Sequence, residues 1–283
     1  MKRTLVAVVL VLASAIAHPA LAADTLARIK SAKAITVAYS PDSLPFSFSD
    51  NGTAVGYSID LCKRVIAQIG RAVGVPNLEV KWIPAQTAER LKMVASGKAD
   101  LECGNTSQTL TRLADVDFSS LIFLDTGSFL VRKDAPSNRL ADMGGKKIAV
   151  LKGTTTEGRL REALQKRLVN AEVVTVDKPE DGMAKLESGE VALFAGDRIK
   201  LVGLAARTKD PTVFTLSGDE ISYEPYAFAV PRNDSAFRLE VNRALSQVYK
   251  SGEVGAIFQQ WLGALGQPPD LIMAMFILNV IPD

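Results

Sequence analysis

The sequence predicts an α/β protein with two domains, and three observations support this prediction. From Leu26 onward, short apolar runs typical of strands alternate with amphipathic stretches typical of helices, as in α/β folds with largely parallel sheets. A second such series starts near Lys147, and 283 residues are enough for two ordinary domains. Because the first series still needs a covering helix, we expect the C-terminal helices to return to the first domain, which requires two crossings between the domains.

The first series consists of short strands, two helices and one long strand-like run. Apolar residues recur at helical spacing between positions 58 and 69, which predicts an amphipathic helix there. Gly97 follows the second helix, and glycine commonly ends helices. We therefore expect strands at 35–39, 78–83 and 99–103, helices at 58–69 and 87–96, and a strand-like run at 121–131.

The second series shows the same alternation before the chain returns to the first domain. We expect strands at 147–151, 172–176, 191–194 and 227–230, helices at 156–168 and 179–188, and a long helix at 235–251 from which the chain continues into 254–262. The apolar run at 271–280 is too short to span a membrane, so we expect a strand or an extended arm on the surface of the first domain. The expected boundaries are 23–125 with 224–283 for lobe 1 and 126–223 for lobe 2.

The N-terminus has the pattern of a secretory signal peptide. Lys2 and Arg3 precede an uncharged run at 4–17, and Ala20-Leu21-Ala22 supplies the small residues that signal peptidase requires. A membrane anchor is the alternative, but the run is shorter than the roughly 20 residues that span a bilayer. We expect cleavage after residue 22. Since no cysteine follows directly, we expect a free periplasmic protein rather than a lipid-anchored one.

Composition excludes several function classes. Without residues 1–22 the chain carries 31 basic and 31 acidic residues, so electrostatic binding of nucleic acid is not expected. The single histidine is His18, inside the predicted signal peptide. The mature protein then lacks the imidazole that Ser-His-Asp triads, Cys-His pairs and histidine-ligated zinc sites need. We expect no metal and no cofactor.

Export places Cys62 and Cys103 in an oxidising compartment, where two thiols can pair. Cys62 falls on the first predicted helix and Cys103 at the end of a predicted strand. A disulfide between helix and sheet is one interpretation, and two buried free cysteines are the other.

Two polar loops follow predicted strands and are suited to anions. Asn105 and Ser107 lie in a hydroxyl-rich loop after the strand that ends at Cys103, with Arg112 a few residues further on. Backbone N–H groups, hydroxyls and a forked guanidinium together suit a carboxylate. A capped turn with Arg112 on the solvated surface is the alternative.

The second loop, Gly153–Thr156, follows a strand and opens a helix, whose N-terminus attracts anions. It lacks the lysine and the spacing of a phosphate-binding loop, and an ordinary helix cap is the alternative. Asp197 follows the strand at 191–194, where ligands of open α/β sheets bind and where a carboxylate can pair with an ammonium group. It could instead cap the next helix or pair with Arg198. Two carboxylate-binding loops and a facing acid predict a site for an amino-acid zwitterion.

Several motifs give the chain a resemblance to a known family that covers nearly all of the mature sequence. It resembles the periplasmic solute-binding proteins of ABC amino-acid importers, family 3, and most closely the glutamate/aspartate-binding branch, although Ser58 stands where an acid is commoner. The motifs are Pro45-Phe46-Ser47-Phe48, Gly56-Tyr57-Ser58-Ile59-Asp60-Leu61, Glu102-Cys103-Gly104-Asn105-Thr106-Ser107 with Arg112, Asp117-Phe118-Ser119, and the tail from Pro268 to Phe276.

The resemblance implies a type II periplasmic-binding-protein fold, in which two α/β lobes joined by two hinge crossings close over an amino acid. It assigns the ligand α-carboxylate to Arg112, Ser107, Thr154 and Thr155, the α-ammonium to Asn105 and Asp197, the side-chain carboxylate to Arg90 with Thr87, and an apolar floor to Phe46 or Phe48. For Arg90 the alternative is an exposed helix residue paired with Glu89 or Glu79.

Two departures from the glutamate/aspartate branch leave the ligand open. Ser40 stands where that branch typically has a second arginine, and Pro179 or its neighbourhood stands where it has a histidine. With one of three side-chain cations remaining, glutamate or aspartate, glutamine or asparagine, and a larger polar amino acid all fit the pattern.

The resemblance therefore implies a monomeric, non-catalytic protein that delivers an amino acid to an ABC permease in the inner membrane. An enzyme on the same scaffold, similar to cyclohexadienyl dehydratases, is the rival. Such an enzyme would need an acid such as Glu157 or Glu180 aimed into the cleft.

Overall fold

The computed structural model describes residues 24–282, so the predicted signal peptide lies outside the described residues. Helices and strands alternate along the chain as expected. The helices are α1 (Thr25–Ala32), α2 (Tyr57–Ala72), α3 (Thr87–Ala95), α4 (Thr155–Lys166), α5 (Pro179–Glu187), α6 (Arg198–Ala205), α7 (Ser235–Lys250), α8 (Glu253–Leu262) and α9 (Asp270–Leu278). The strands are β1 (Ala34–Tyr39), β2 (Asp42–Ser43), β3 (Ser47–Asp50), β4 (Thr53–Val55), β5 (Glu79–Pro84), β6 (Leu101–Glu102), β7 (Val116–Arg132), β8 (Lys147–Leu151), β9 (Glu172–Val176), β10 (Leu193–Asp197), β11 (Phe214–Leu216) and β12 (Ser222–Pro231).

Two long strands join the α/β series into one mixed sheet. The strand order is β5-β1-β6-β12-β7-β10-β8-β9, with β11 also paired to β7, and β2-β3-β4 form a separate small sheet. The outer pairs β1–β5 and β8–β9 are parallel, whereas β7 and β12 pair antiparallel over most of their length. Since β7 and β12 lie in the middle of the sheet, they are the two crossings that the sequence predicts.

The buried apolar residues divide into separate clusters on either side of these strands. The largest cluster contains residues between positions 29 and 123 and between 226 and 276, and a smaller one around Val94 lies within the same stretches. Two other clusters consist only of residues between positions 129 and 214. We call these groups of elements the first half and the second half of the molecule.

The tail differs from the expected strand or extended arm, because residues 270–278 form the helix α9. Ile272, Met275 and Phe276 are buried at helical spacing, and Phe276 stacks on Tyr249 of α7 with ring centroids 5.3 Å apart. A strand would have placed Met275 on the face opposite Ile272 and Phe276, whereas a helix buries all three against α7 and β7.

The helical segments expected at 235–251 and 254–262 are present as α7 and α8. Gly252 adopts the left-handed conformation, with φ at +77°, and separates α7 from α8. Glycine reaches this conformation without the steric cost that a Cβ atom imposes. Of the residues the structure describes, none belongs to a helix with the length and apolar character needed to cross a membrane.

A disulfide joins Cys62 on α2 to Cys103, directly after β6, with 6.0 Å between the Cα atoms. Both cysteines are fully buried in the largest apolar cluster. The bond fixes the helix that covers the sheet to the start of the loop that carries Asn105 and Ser107.

Candidate functional site

The carboxylate of Glu224 accepts hydrogen bonds from hydroxyl groups in both halves of the molecule. Its Oε2 atom accepts hydrogen bonds from Ser107 Oγ, in the loop after β6, and from Thr155 Oγ1, at the start of α4, at 2.7 Å for Thr155. Ser222 Oγ, on the same strand as Glu224, donates to Oε1 at 2.6 Å. Glu224 is only 1% exposed. Ser107 and Thr155, which the sequence predicts from two separate loops, are therefore brought together.

Arg112 lies next to these hydroxyls. It begins a short 3-10 turn, is half-buried, and donates from Nη1 to the carbonyl oxygen of Ser107 at 2.8 Å. Burial lowers the pKa of Arg112, while the charges of Glu102 and Glu224 act in the opposite direction. Within residues 24–282 its guanidinium makes no ion pair, so most of its donors remain available to a carboxylate.

Asp197, the last residue of β10, is 7% exposed and fully engaged with neighbouring side chains. It accepts hydrogen bonds from the Tyr226 hydroxyl at 2.6 Å and from Thr156 Oγ1 at 2.9 Å, and Lys200 Nζ lies 3.5 Å from its Oδ2. It neither caps α6 through its side chain nor pairs with Arg198. A small pocket is lined by Asp197, Thr156 and Lys200 together with Thr154 and Pro179.

A second buried carboxyl lies close to Asp197. Asp125 of β7 accepts hydrogen bonds from the backbone N–H groups of Thr126 and Ile199 at 2.8 and 3.2 Å, and from the Tyr226 hydroxyl at 3.4 Å. Burial, followed by the charge of Asp197, raises the pKa of Asp125 to about 7. Near neutral pH the Asp125 carboxyl is therefore protonated part of the time.

Arg90 is buried and paired within the protein, not exposed and paired with Glu89 or Glu79. Its side chain is 1% exposed, and Nε donates to Glu102 Oε1 at 2.7 Å. The guanidinium also donates to the Ala85 carbonyl at 2.8 Å and to the hydroxyls of Thr87 and Thr106 at 3.3 Å each. Four of its five N–H groups therefore have protein acceptors. A contact between Arg90 and a ligand stays a prediction, and the same holds for Thr87.

Three further predicted site residues, Thr154, Asn105 and Phe46, have different surroundings. Thr154 caps α4, since its Oγ1 accepts from the Glu157 N–H at 3.2 Å and donates to the Leu151 carbonyl at 2.7 Å. Asn105 is 7% exposed and close to Ser107 in the chain. Phe46 has no exposed surface and belongs to the largest apolar cluster, and its role as an apolar floor of the site stays a prediction.

The Phe46 ring packs in an aromatic cluster with Tyr57, Phe123 and Tyr226, at centroid distances of 4.9 to 6.0 Å. Phe48, the other candidate, lies at 5.8 Å from Trp261 and under the guanidinium of Arg207 at 5.4 Å. The motif Pro45-Phe46-Ser47-Phe48 therefore packs into the core through Phe46, and Phe48 of the small sheet contacts the second half through Arg207.

Sequence reasoning missed the side chains that connect the predicted ones. Glu224 and Tyr226 stand just before the expected strand at 227–230, and the polar residues in front of an apolar run were the available signal. Thr156 is the last residue of the predicted loop Gly153–Thr156, although no contact was assigned to it, and Lys200 lies on α6, where nothing in the local pattern marks it. Among residues 24–282, no three His, Cys, Asp or Glu side chains are grouped so that they could hold a metal ion.

Comparisons with known proteins agree on one family. The model of "Bacterial extracellular solute-binding proteins, family 3" matches residues 35–264. The chain is 31% identical over 239 residues to an L-glutamate/L-aspartate-binding protein of Pseudomonas aeruginosa, covering 84% of this chain and 79% of that protein. It is 30% identical over 278 residues to a glutamate/aspartate import solute-binding protein of Salmonella typhimurium, covering 96% of this chain and 92% of that protein.

The fold is also shared with solved structures. A mutant of ArgBP from T. maritima superposes with a TM-score of 0.74 and 26% sequence identity, covering 84% of this chain and 99% of that one. The predicted two-lobed type II fold and the predicted family resemblance are both confirmed.

Proposed function

Because the chain belongs to the bacterial extracellular solute-binding proteins of family 3, we propose that it is the amino-acid-binding component of an ABC importer and works in the periplasm. The observation that carries the proposal is the meeting of Ser107, Thr155 and Arg112. Hydroxyls from two halves of the molecule and a guanidinium without an ion pair in residues 24–282 converge at one place. This combination suits the α-carboxylate of an amino acid.

The proposed ammonium site is Asp197, with Asn105 as a second acceptor. Asp197 already interacts with Lys200 and Tyr226, so an ammonium group would share its oxygens with these two donors. A carboxylate site and an ammonium site within one crevice select the zwitterionic part of the ligand and leave the side chain to other residues.

For the side chain we propose a polar or acidic amino acid, either glutamate or aspartate or their amides. The names of the relatives support the acidic ligands. Ser40 in place of an arginine, and the pairing of Arg90 with Glu102, favour the neutral amides, because a buried carboxylate without a free cation is costly. Lys200, which lines a pocket with Pro179, is the cation that could offset this cost.

The proposed lobes are residues 23–125 with 224–283 and residues 126–223, with β7 and β12 as hinge strands. A ligand that contacts both lobes favours the closed form, because its differential affinity for the two forms shifts the equilibrium. We propose that the closed monomer then docks on an ABC permease in the inner membrane, and that residues 1–22 are removed during export.

The enzyme alternative receives no support from its candidate acids. Glu157 accepts a hydrogen bond from the Gly153 N–H at 2.9 Å and pairs with Arg161, and these contacts lower the pKa of Glu157. A carboxyl that is held as an anion has no proton to donate as a general acid. Glu180 is exposed in the first turn of α5.

The test is a thermal-shift panel of the twenty L-amino acids on mature protein that has been unfolded and refolded to remove carried-over ligand. A ligand that binds only the native state raises the melting temperature. We expect a rise with one or a few polar or acidic amino acids. If none of the twenty changes the melting temperature, the proposed ligand class is wrong.

A further inference from the structure

Glu224 accepts hydrogen bonds from Ser107 and Thr155, the two hydroxyl donors that we propose for the ligand carboxylate. Both Ser107 and Thr155 donate to the same oxygen of Glu224, and Ser222 holds the other oxygen. Glu224 is buried on the hinge strand β12, paired in register with Asp125 on β7. A carboxylate of the protein therefore already occupies the position between the two halves.

While Ser107 and Thr155 donate their hydroxyl protons to Glu224, they cannot donate them to a second carboxylate. A serine or threonine hydroxyl has one proton to donate and two lone pairs that accept. While Ser107 and Thr155 donate to Glu224, their hydroxyls can only accept hydrogen bonds from a solute. A solute carboxylate cannot donate, so the two hydroxyls cannot bind it until Glu224 releases them.

The negative charge of Glu224 also weakens the binding of a solute carboxylate. Although burial lowers the pKa of Arg112, the negative charge of Glu224 acts to raise it. Glu224 therefore partly neutralises the guanidinium that a solute carboxylate would approach. Two carboxylates in one buried space repel each other. Both effects lower the affinity of the site for an anion as long as Glu224 stays in place.

We propose that Glu224 is a built-in competitor for the carboxylate site, which links Ser107 to Thr155 in the ligand-free protein and is displaced by the solute. The inference rests on the proposed function for the identity of the solute, but the link between the halves does not. We expect the Glu224 carboxylate to hold the ligand-free molecule partly closed and, by this contact, to weaken amino-acid binding.

The experiment compares Glu224→Ala and Glu224→Gln with wild type, and uses Glu240→Ala as the matched control. Glu240 is a buried glutamate on α7 that contacts Gln68 and Arg243 instead of the site. Calorimetric titration with L-glutamate and with L-glutamine measures affinity, and small-angle X-ray scattering of the ligand-free proteins measures the radius of gyration. Glu224→Gln keeps an acceptor without the charge and serves if the alanine variant does not fold.

We expect Glu224→Ala to bind the better of the two probes about tenfold more tightly, with a smaller gain for Glu224→Gln and none for Glu240→Ala. We also expect a larger radius of gyration for ligand-free Glu224→Ala. Weaker or unchanged affinity, or an unchanged radius of gyration, overturns the inference. If no variant and no wild-type protein binds either probe, the proposed ligands are wrong, and the radius of gyration alone decides whether Glu224 links the halves.

Discussion

Arg90 and Arg112 differ in how completely the protein satisfies them. Arg90 donates to Glu102, a backbone carbonyl and two threonines, whereas Arg112 donates to one backbone carbonyl and has no ion pair within residues 24–282. A guanidinium with unused donors is the better ligand group, and a saturated one is the better structural group. At the scale of single residues this difference supports the proposal that Arg112 binds the ligand, while the contacts of Arg90 support the loop that carries Ser107.

The pair Arg90–Glu102 gives a direct test of this difference. We expect Arg90→Met or Glu102→Met alone to lower the free energy of unfolding by about 3–5 kcal/mol, because each leaves a buried charge unpaired. The double variant should lose much less than the sum of the two. Urea denaturation measures all three. If Arg90→Met is as stable as wild type and selectively loses acidic ligands, Arg90 binds the ligand side chain.

Asp125 predicts a specific pH dependence of stability. Its pKa is about 7 in the folded protein, against an ordinary value of 3.8, so between these values the folded state binds more protons than the unfolded state. Stability therefore falls as pH rises from about 4 to about 7, by about 4 kcal/mol for the full shift, and this contribution stays constant above pH 7.

Asp125→Asn removes this titration, so we expect the variant to gain stability relative to wild type between pH 5 and pH 8. Urea denaturation at the two pH values measures the gain. Asp177→Asn, which changes an exposed carboxyl, is the control. The pKa assignment is wrong if the difference between Asp125→Asn and wild type is the same at both pH values.

At the scale of elements, the disulfide connects α2 to the chain immediately after β6. Cys62 and Cys103 close a loop of 41 residues, and replacing both by serine should lower the free energy of unfolding by about 4 kcal/mol, mainly by freeing the unfolded chain. Urea denaturation of the double serine variant measures the loss. An unchanged midpoint and slope would show that the bond contributes nothing to stability.

The helix α9 gives a second prediction at this scale. Phe276 is 4% exposed and stacks on Tyr249, so Phe276→Ala should cost about 3–5 kcal/mol. Ile277 on the same helix is 68% exposed, and Ile277→Ala should change stability by less than about 0.5 kcal/mol. Thermal or urea unfolding compares the two. Equal losses would contradict the packing of α9 on α7.

The elements show what periodicity can and cannot predict. β8 and β9 have the bounds expected from their apolar runs, because a short buried strand coincides with its apolar residues. The tail became a helix because the apolar residues at 271–280 are compatible with both periods, and only the shape of α7 and β7 decides between them. The small sheet β2–β4 was missed, since its residues are mixed in polarity, and the helix after Asp197 was expected but without bounds.

At the scale of the whole molecule, the sequence locates the loops of the site but not the contacts between them. Ser107, Thr155 and Asp197 each follow a predicted strand, a local pattern that one sequence contains. Their meeting with Glu224, Tyr226 and Lys200 depends on how β7 and β12 join the two halves, which no local spacing encodes. Physical pattern alone predicted an α/β chain of two domains with two crossings, and the resemblance to a family added the type II fold whose lobes close over a ligand.

We propose that the whole molecule binds an amino acid between its two halves through Arg112. The most direct measurement is calorimetric titration of the best ligand from the amino-acid panel into wild type, Arg112→Met and Arg159→Met. Arg159 is an exposed arginine on α4 that pairs with Glu162 at the surface. We expect at least about a hundredfold loss of affinity for Arg112→Met, since a charge-assisted pair of hydrogen bonds disappears, and no change for Arg159→Met. Wild-type affinity in folded Arg112→Met would contradict ligand binding through Arg112.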